Sequence, residues 1–158
     1  MSQRVPMTQR GYEALKAELQ RLKSVDRPAN VKEIETAIAH GDLSENAEYH
    51  AAKEKQGMLV AEIARVETQL ADAEVVDLTK VKGDKIAFGA RVTLANADTG
   101  EEVRYHIVGP AEADMEQGKI SYEAPLARQL MGRKVGDEVT VRTPGGTRSY
   151  EVLDVSFA

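Results

Sequence analysis

At 158 residues and 42% hydrophobic content the chain can hold one ordinary domain, or a small domain beside an extended element that needs little core of its own. Aromatics make up 4%, and both Trp and Cys are absent, which leaves little for an aromatic-lined cofactor pocket or a base-stacking surface and excludes disulfides and thiolate metal sites. The formal charge is -5, with 10 basic against 14 acidic residues up to Leu78 and 11 against 12 beyond it, so neither part is the polycation that gripping duplex DNA by its phosphates requires.

Met1 to Lys16 carries no apolar signal-peptide core, and nowhere do enough apolar residues run together to span a membrane. A cytoplasmic protein is expected. From Thr8 to about Leu78 the composition favours helix, with a single Pro. Tyr12, Leu15, Leu19 and Leu22 step by helical intervals, as do Val31, Ile34 and Ile38, and then Leu59, Ile63, Val66, Leu70 and Ala73. Each stripe is narrow and flanked by charge, so each stretch can bury its seam only against the other, as an antiparallel helical hairpin. Pro28 removes an amide donor and disfavours helix at Arg27, which predicts a kink or short break between Val25 and Asn30. The reversal is marked by Gly41-Asp42-Leu43-Ser44-Glu45: Gly41 supplies the left-handed residue that ends a helix, and Asp42 three before Glu45 fits a capping box.

Beyond Leu78 short β-type runs alternate with turn residues. Strands are expected around Val92–Leu94, Val103–Val108, Val139–Val141 and Tyr150–Val155, with hairpin turns at Asp98-Thr99-Gly100 and Pro144-Gly145-Gly146. One short helix runs from Pro125 to about Met131 and is closed by Gly132. The fold class is therefore α+β: a coiled-coil hairpin over 1–78 with an acidic tip near 41–48, then a small, mainly antiparallel β domain with one short helix over 79–158.

Two readings of the tip stand side by side. In one, Asp42 and Glu45 merely cap a helix and Glu48 is a solvated face residue. In the other, Asp42 and Glu45 share one hard cation, since Mg²⁺ commonly takes one or two protein carboxylates and completes its shell with water and phosphate oxygens. Such a pair on an open turn would hold the ion only when inserted into another protein's metal centre. His50 and Glu54 have the one-turn spacing of a metal pair, but a zinc site needs further convergent ligands. His106, alternating with Arg104, reads as an exposed strand residue.

Asp42-Leu43-Ser44-Glu45-Asn46-Ala47-Glu48-Tyr49, followed by His50-Ala51-Ala52-Lys53-Glu54-Lys55-Gln56, resembles the hairpin-tip signature of the Gre-type transcript-cleavage factors, the GreA kind most closely. Lys23-Ser24-Val25-Asp26-Arg27-Pro28, Phe88-Gly89-Ala90, Ile107-Val108-Gly109, Pro125-Leu126-Ala127-Arg128 and Thr143-Pro144-Gly145-Gly146 also look like that family, so the likeness covers nearly the whole chain. The resemblance implies a coiled coil that enters the secondary channel of bacterial RNA polymerase and a C-terminal domain similar to FK506-binding proteins that docks at the channel rim. It implies an accessory factor, not an enzyme in its own right. Asp42 and Glu45 would help hold the polymerase's second catalytic Mg²⁺ and a water, so that the polymerase cuts a backtracked transcript. Ser44, Asn46, Tyr49, Lys53 and Lys55 would shape the tip or touch the nascent RNA 3′ end and polymerase. Ile120, Ser121, Tyr122, Pro125 and Leu126 are the docking candidates, with Ile120, Tyr122 and Leu126 also readable as core. The factor would need no cofactor of its own, would act as a monomer, and would reach the nucleoid only through polymerase. Ile38 stands where relatives usually carry an RNA-contacting Arg, which points to a weaker RNA contact. The rival within the same resemblance is a channel-inserting inhibitor, whose known relatives carry extra tip acids. Prolyl isomerase activity would need an aromatic pocket that Phe88, Phe157, Tyr105, Tyr122 and Tyr150 are too few to build.

Overall fold

The computed structural model describes residues 4–78 and 83–157, and the chain divides into two compact units. One unit is Tyr12–Ala73; the other joins the chain up to Gly11 with the chain from Glu74 onward. The class is α+β, as the sequence indicates. The expected junction after residue 78 borders residues outside the described ones, and the strand that precedes the helical arm clusters with the β unit. Among the described residues, no helix is long and apolar enough to cross a membrane.

In the helical unit, α1 (Gln9–Arg21) passes through one π-helical turn (Leu22–Asp26) into α2 (Arg27–Ala39), and α3 (Ala47–Asp72) returns. The break expected at Pro28 is instead this wider turn just before it. Pro28 lacks an N–H and its ring crowds the carbonyl one turn back, and widening the preceding turn relieves that crowding while the helix continues. Within the wide turn the Arg27 N–H donates to the Leu22 carbonyl, Arg21 pairs with Asp26 at 2.6 Å, and the Ser24 hydroxyl donates to the Gln20 carbonyl at 2.6 Å.

A π turn inserts one residue and so shifts the buried face by one position. Continuing the spacing of the buried Leu15 and Leu22 would turn Ala29 and Thr36 inward, yet Asn30 and Ala37 are the buried residues, with Ile34 half-buried. The stripe read as Val31, Ile34 and Ile38 is thereby corrected: Val31 is 43% and Ile38 49% exposed. The returning arm keeps its heptad spacing, with Ala52, Ile63 and Val66 buried and Leu59 and Leu70 half-buried.

From base to tip, Glu18 and Lys23 meet Arg65 and Glu67, Asn30 and Glu33 meet Ala52 and Lys55, and Ala37 meets Asn46, so the arms are antiparallel. The ion pairs among these are exposed and contribute roughly 0–1 kcal/mol each. Asn30 is different, being 1% exposed with its Nδ2 donating to the Ala52 carbonyl at 3.0 Å. Leaving that amide buried and unpaired would cost about 1–3 kcal/mol, so a slipped register is penalised.

The β unit is built on a five-stranded sheet in the order β5-β4-β3-β7-β6, where β3 is Arg91–Asn96, β4 Glu102–Val108, β5 Lys119–Ser121, β6 Glu138–Thr143 and β7 Gly146–Ser156. Pairing is antiparallel except between β4 and β5, which is parallel. The helix α4 (Pro125–Leu130) supplies Ala127 and Leu130 to a core shared with Val92, Leu94, Ile107 and Val152. A separate two-stranded ribbon pairs β1 (Val5–Thr8) with β2 (Ala73–Val76), which the sequence reading lacks.

Glu112 ties β1 to this unit. Its carboxylate accepts from the Thr8 N–H at 3.1 Å, from the Thr8 hydroxyl and from the Gly109 N–H at 3.1 Å, and the Thr8 oxygen accepts in turn from the Gly11 N–H at 3.0 Å. A Cβ on Gly11 would stand 2.0 Å from Glu112 Oε1, and the carboxylate can retreat only by releasing those donors. Glu112→Ala should therefore cost about 2 kcal/mol in urea unfolding, and Gly11→Ala a similar amount. In the Glu112→Ala background Gly11→Ala should be nearly neutral; additive losses would show that the two do not share the latch.

Candidate functional site

The reversal between α2 and α3 is the acidic tip. The Gly41 φ of +108° ends the first arm as the sequence suggests. The next helix, however, is not capped by Asp42 with Glu45. Asn46 is its N-cap: its Oδ1 accepts from the Tyr49 N–H at 3.0 Å, while its Nδ2 donates back to the Ala37 carbonyl at 2.6 Å. One side chain thus caps α3 and pins it to the end of α2.

Relieved of capping, Asp42 accepts from the Ser44 hydroxyl at 2.8 Å and the Ser44 N–H at 3.0 Å, both at Oδ1. These two bonds, the hydroxyl's first, hold its pKa below the ordinary carboxylate value. Asp42 and Glu45 line one shallow concavity of about 410 Å³ together with His40, Asn46, Ala47 and Glu48. His40 Nδ1 lies 3.5 Å from Glu48 Oε2, and His50 Nε2 lies 3.2 Å from the Ser44 carbonyl. Among the described residues no three His, Asp or Glu side chains converge as a metal site would require. Two exposed carboxylates, one fixed through a single oxygen, suit a hard cation only as part of a ligand set.

The basic residues expected to touch RNA are engaged within the hairpin. Lys53 donates to Gln56 Oε1 at 2.8 Å, and Lys55 pairs with Glu33 at 2.8 Å, a bond that raises the lysine's pKa. Lys32, Lys55 and Glu33 border a groove of about 530 Å³ between the arms, floored by Ala37 and Ala52.

Of the docking candidates, Ile120 is 3% exposed in the sheet core, so its side chain cannot meet a partner without unfolding, which corrects that assignment. Tyr122 packs on the same core with Leu126 and sets its ring edge-on to Phe88 at 6.0 Å. Ser121 Oγ accepts from the Glu123 N–H at 3.1 Å, and Pro125 is exposed at the start of α4. Tyr150 is core, and Tyr105 and Phe157 pack against it, so the aromatics of this unit serve the fold.

His106 also departs from expectation. It is half-buried, and both ring nitrogens are shut off from solvent without a hydrogen-bond partner among the described residues. Burial, followed by the positive charge of Arg91, pushes its pKa below the usual value, with Lys119 adding to the effect and Glu112 and the Gly89 backbone opposing it.

A family model described as "Transcription elongation factor, N-terminal" matches residues 5–75, and one described as "Transcription elongation factor, GreA/GreB, C-term" matches residues 80–157. The chain is 59% identical over 155 residues to the transcription elongation factor GreA of Anaeromyxobacter sp. (strain K), across 98% of this chain and 93% of that one. It is 52% identical to GreA of Caulobacter vibrioides (strain NA1000 / CB15N), across 98% of this chain and 99% of that one. A solved structure of the transcription factor Gfh1 aligns at 29% identity with a TM-score of 0.48, over 98% of this chain and 99% of that one.

The His106 environment carries a prediction. Because the unfolded chain takes up this proton near pH 6.5 and the native state only at lower pH, stability present above that value falls as pH drops through the depressed native pKa. Urea unfolding at pH 7.5 and 5.0 should show a loss that His106→Leu reduces, and the His106 ring signals should titrate below those of a free imidazole. An unchanged loss in the variant would remove His106 as a source.

Proposed function

This chain belongs to the GreA/GreB family of transcription elongation factors, and from that premise we propose that it binds RNA polymerase through the secondary channel and stimulates cleavage of the backtracked transcript by the polymerase's own active site. The observation that carries the reading is the tip: a carboxylate pair on an exposed reversal, with Asp42 held through one oxygen by Ser44 and its other oxygen not engaged in that bond.

The donor set fits a shared Mg²⁺. Asp42 and Glu45 would supply two of its oxygen ligands, and the polymerase, water and the RNA phosphate the remainder. A second Mg²⁺ in such a place activates water and neutralises charge during in-line displacement at a phosphodiester. This chain's part is to place both carboxylates. The Ser44 bonds favour the Asp42 anion, and the Asn46 bridge fixes where α3 begins and hence where Glu45, next to the cap, stands. Ser44, Asn46 and Tyr49 thus shape the tip. Lys53 and Lys55 would reach RNA only by exchanging Gln56 and Glu33 for phosphate. On this reading the factor is accessory, carries no cofactor of its own, and works as one copy per polymerase inside the cell. Docking by the β unit would fall to exposed positions such as Pro125 and not to Ile120.

The test is cleavage of 3′-labelled RNA in a backtracked elongation complex at fixed Mg²⁺. Wild-type protein should release short labelled fragments rapidly. Asp42→Ala and Glu45→Ala should each lower the rate by about 10- to 100-fold, the scale of losing support for a catalytic metal, and the double variant should do little further harm because both act on one ion. Mild, additive losses would sink the shared-ion account, and inhibition in place of release would favour the channel-blocking alternative.

A further inference from the structure

We propose that His50 is a positioning residue for Asp42: from the first turn of α3 its Nε2–H holds the Ser44 carbonyl across the tip, and Ser44 holds the Asp42 carboxylate by its N–H and hydroxyl. The inference rests on the cleavage reading and adds to it the group that keeps one of its two carboxylates in place. The chain of contacts is continuous, with His50 Nε2 at 3.2 Å from the Ser44 carbonyl, and the Ser44 N–H and hydroxyl at 3.0 and 2.8 Å from Asp42 Oδ1. A carbonyl oxygen can only accept, so the ring nitrogen facing it must carry the hydrogen, and His50 is assigned as the donor.

Little else holds this segment. Residues 41–45 are all exposed, and no core side chain anchors them. The Asn46 bridge fixes the chain at the far end of the loop, beside α3, but does not touch Ser44. At the near end Gly41, at φ +108°, is bonded by its N–H to the Ile38 carbonyl at 3.2 Å, and nothing packs where a side chain would stand. His50 comes from the helix and not from the loop: its own N–H is bonded to the Asn46 carbonyl at 3.1 Å, and its ring sits edge-on to Tyr49 with centroids 5.7 Å apart. A rigid element therefore reaches back over the loop and ties down its middle. The one-turn spacing from Glu54, which read as a metal pair in the sequence, is not the contact that the ring makes.

The test compares His50→Phe, which keeps an aromatic ring without a donor, with His50→Gln, which restores an N–H at similar reach. In the backtracked-complex assay at saturating factor, His50→Phe should lower the maximal cleavage rate about three- to ten-fold, the worth of one exposed placing bond, while the factor concentration at half-effect stays unchanged. His50→Gln should recover most of that rate. In the free protein, ¹⁵N spectra should place the hydrogen of neutral His50 on Nε2, and the Ser44 carbonyl shift should move in the Phe variant and return in the Gln variant. Full activity of His50→Phe beside an active wild type and an inactive Asp42→Ala would overturn this inference alone. Wild-type protein that releases no RNA would overturn the cleavage reading and take this inference with it. A Ser44 carbonyl indifferent to both substitutions would show that the bond is not made in solution.

Discussion

Two narrow apolar stripes that can be buried only against each other govern the helical half of this molecule. Leu15, Leu22, Ile63 and Val66 are its large buried side chains, each worth roughly 1.5–3 kcal/mol when fully buried. Exposed ion pairs between the arms add little. With so few contacts, register could slip by a turn at modest cost, and the buried Asn30 side chain opposes this because only the observed register offers it the Ala52 carbonyl. The π turn before Pro28 is what brings Asn30, and not Ala29, to that seam. Where the reversal falls, and therefore which residues occupy the tip, follows from this one alignment.

At the tip the physical problem changes from burial to placement. Loops hold little packing energy, and chemistry placed on them depends on bonds back to rigid elements. Asn46 provides such bonds twice, to the end of α2 and to the start of α3. Ser44 then fixes Asp42, and His50 reaches Ser44 from the helix. Neither acid serves as the helix cap, because Asn46 does the capping. In the β unit a comparable economy appears at Glu112, where one carboxylate collects Thr8 and Gly109 and so fastens β1.

Much of this was legible in the sequence, for reasons that can be named. The returning arm, Leu59 through Leu70, keeps a heptad that nothing interrupts, and strands β3, β4, β6 and β7 carry alternation bounded by turn residues that can do little else. Asp42 and Glu45 stood out because they lie in a motif at a turn marked by Gly41. The first arm misled beyond Pro28 because two of its three large apolar residues, Val31 and Ile38, are exposed while a polar Asn30 and a small Ala37 pack inside; hydrophobicity cannot report a one-residue slip made by a π turn. Asp42 and Asn46 are both good caps by composition, and only the geometry of the reversal chooses between them. The Glu112 latch joins positions far apart in sequence, beyond the reach of any local pattern. Ile120 was readable as surface or core, and its burial in one cluster with Ile107, Ala127 and Leu130 decides for core.

The account turns on whether the tip carboxylates bring a metal ion to the polymerase, and the most direct measurement is the Mg²⁺ dependence of transcript cleavage, with and without this protein. Wild-type factor should lower the Mg²⁺ concentration at half-maximal rate, and the Glu45→Gln variant, which keeps the shape of the tip but not its charge, should leave that concentration where polymerase alone has it. A wild-type factor that raises the rate without moving the Mg²⁺ midpoint would contradict ion sharing and leave the tip a role in positioning RNA alone.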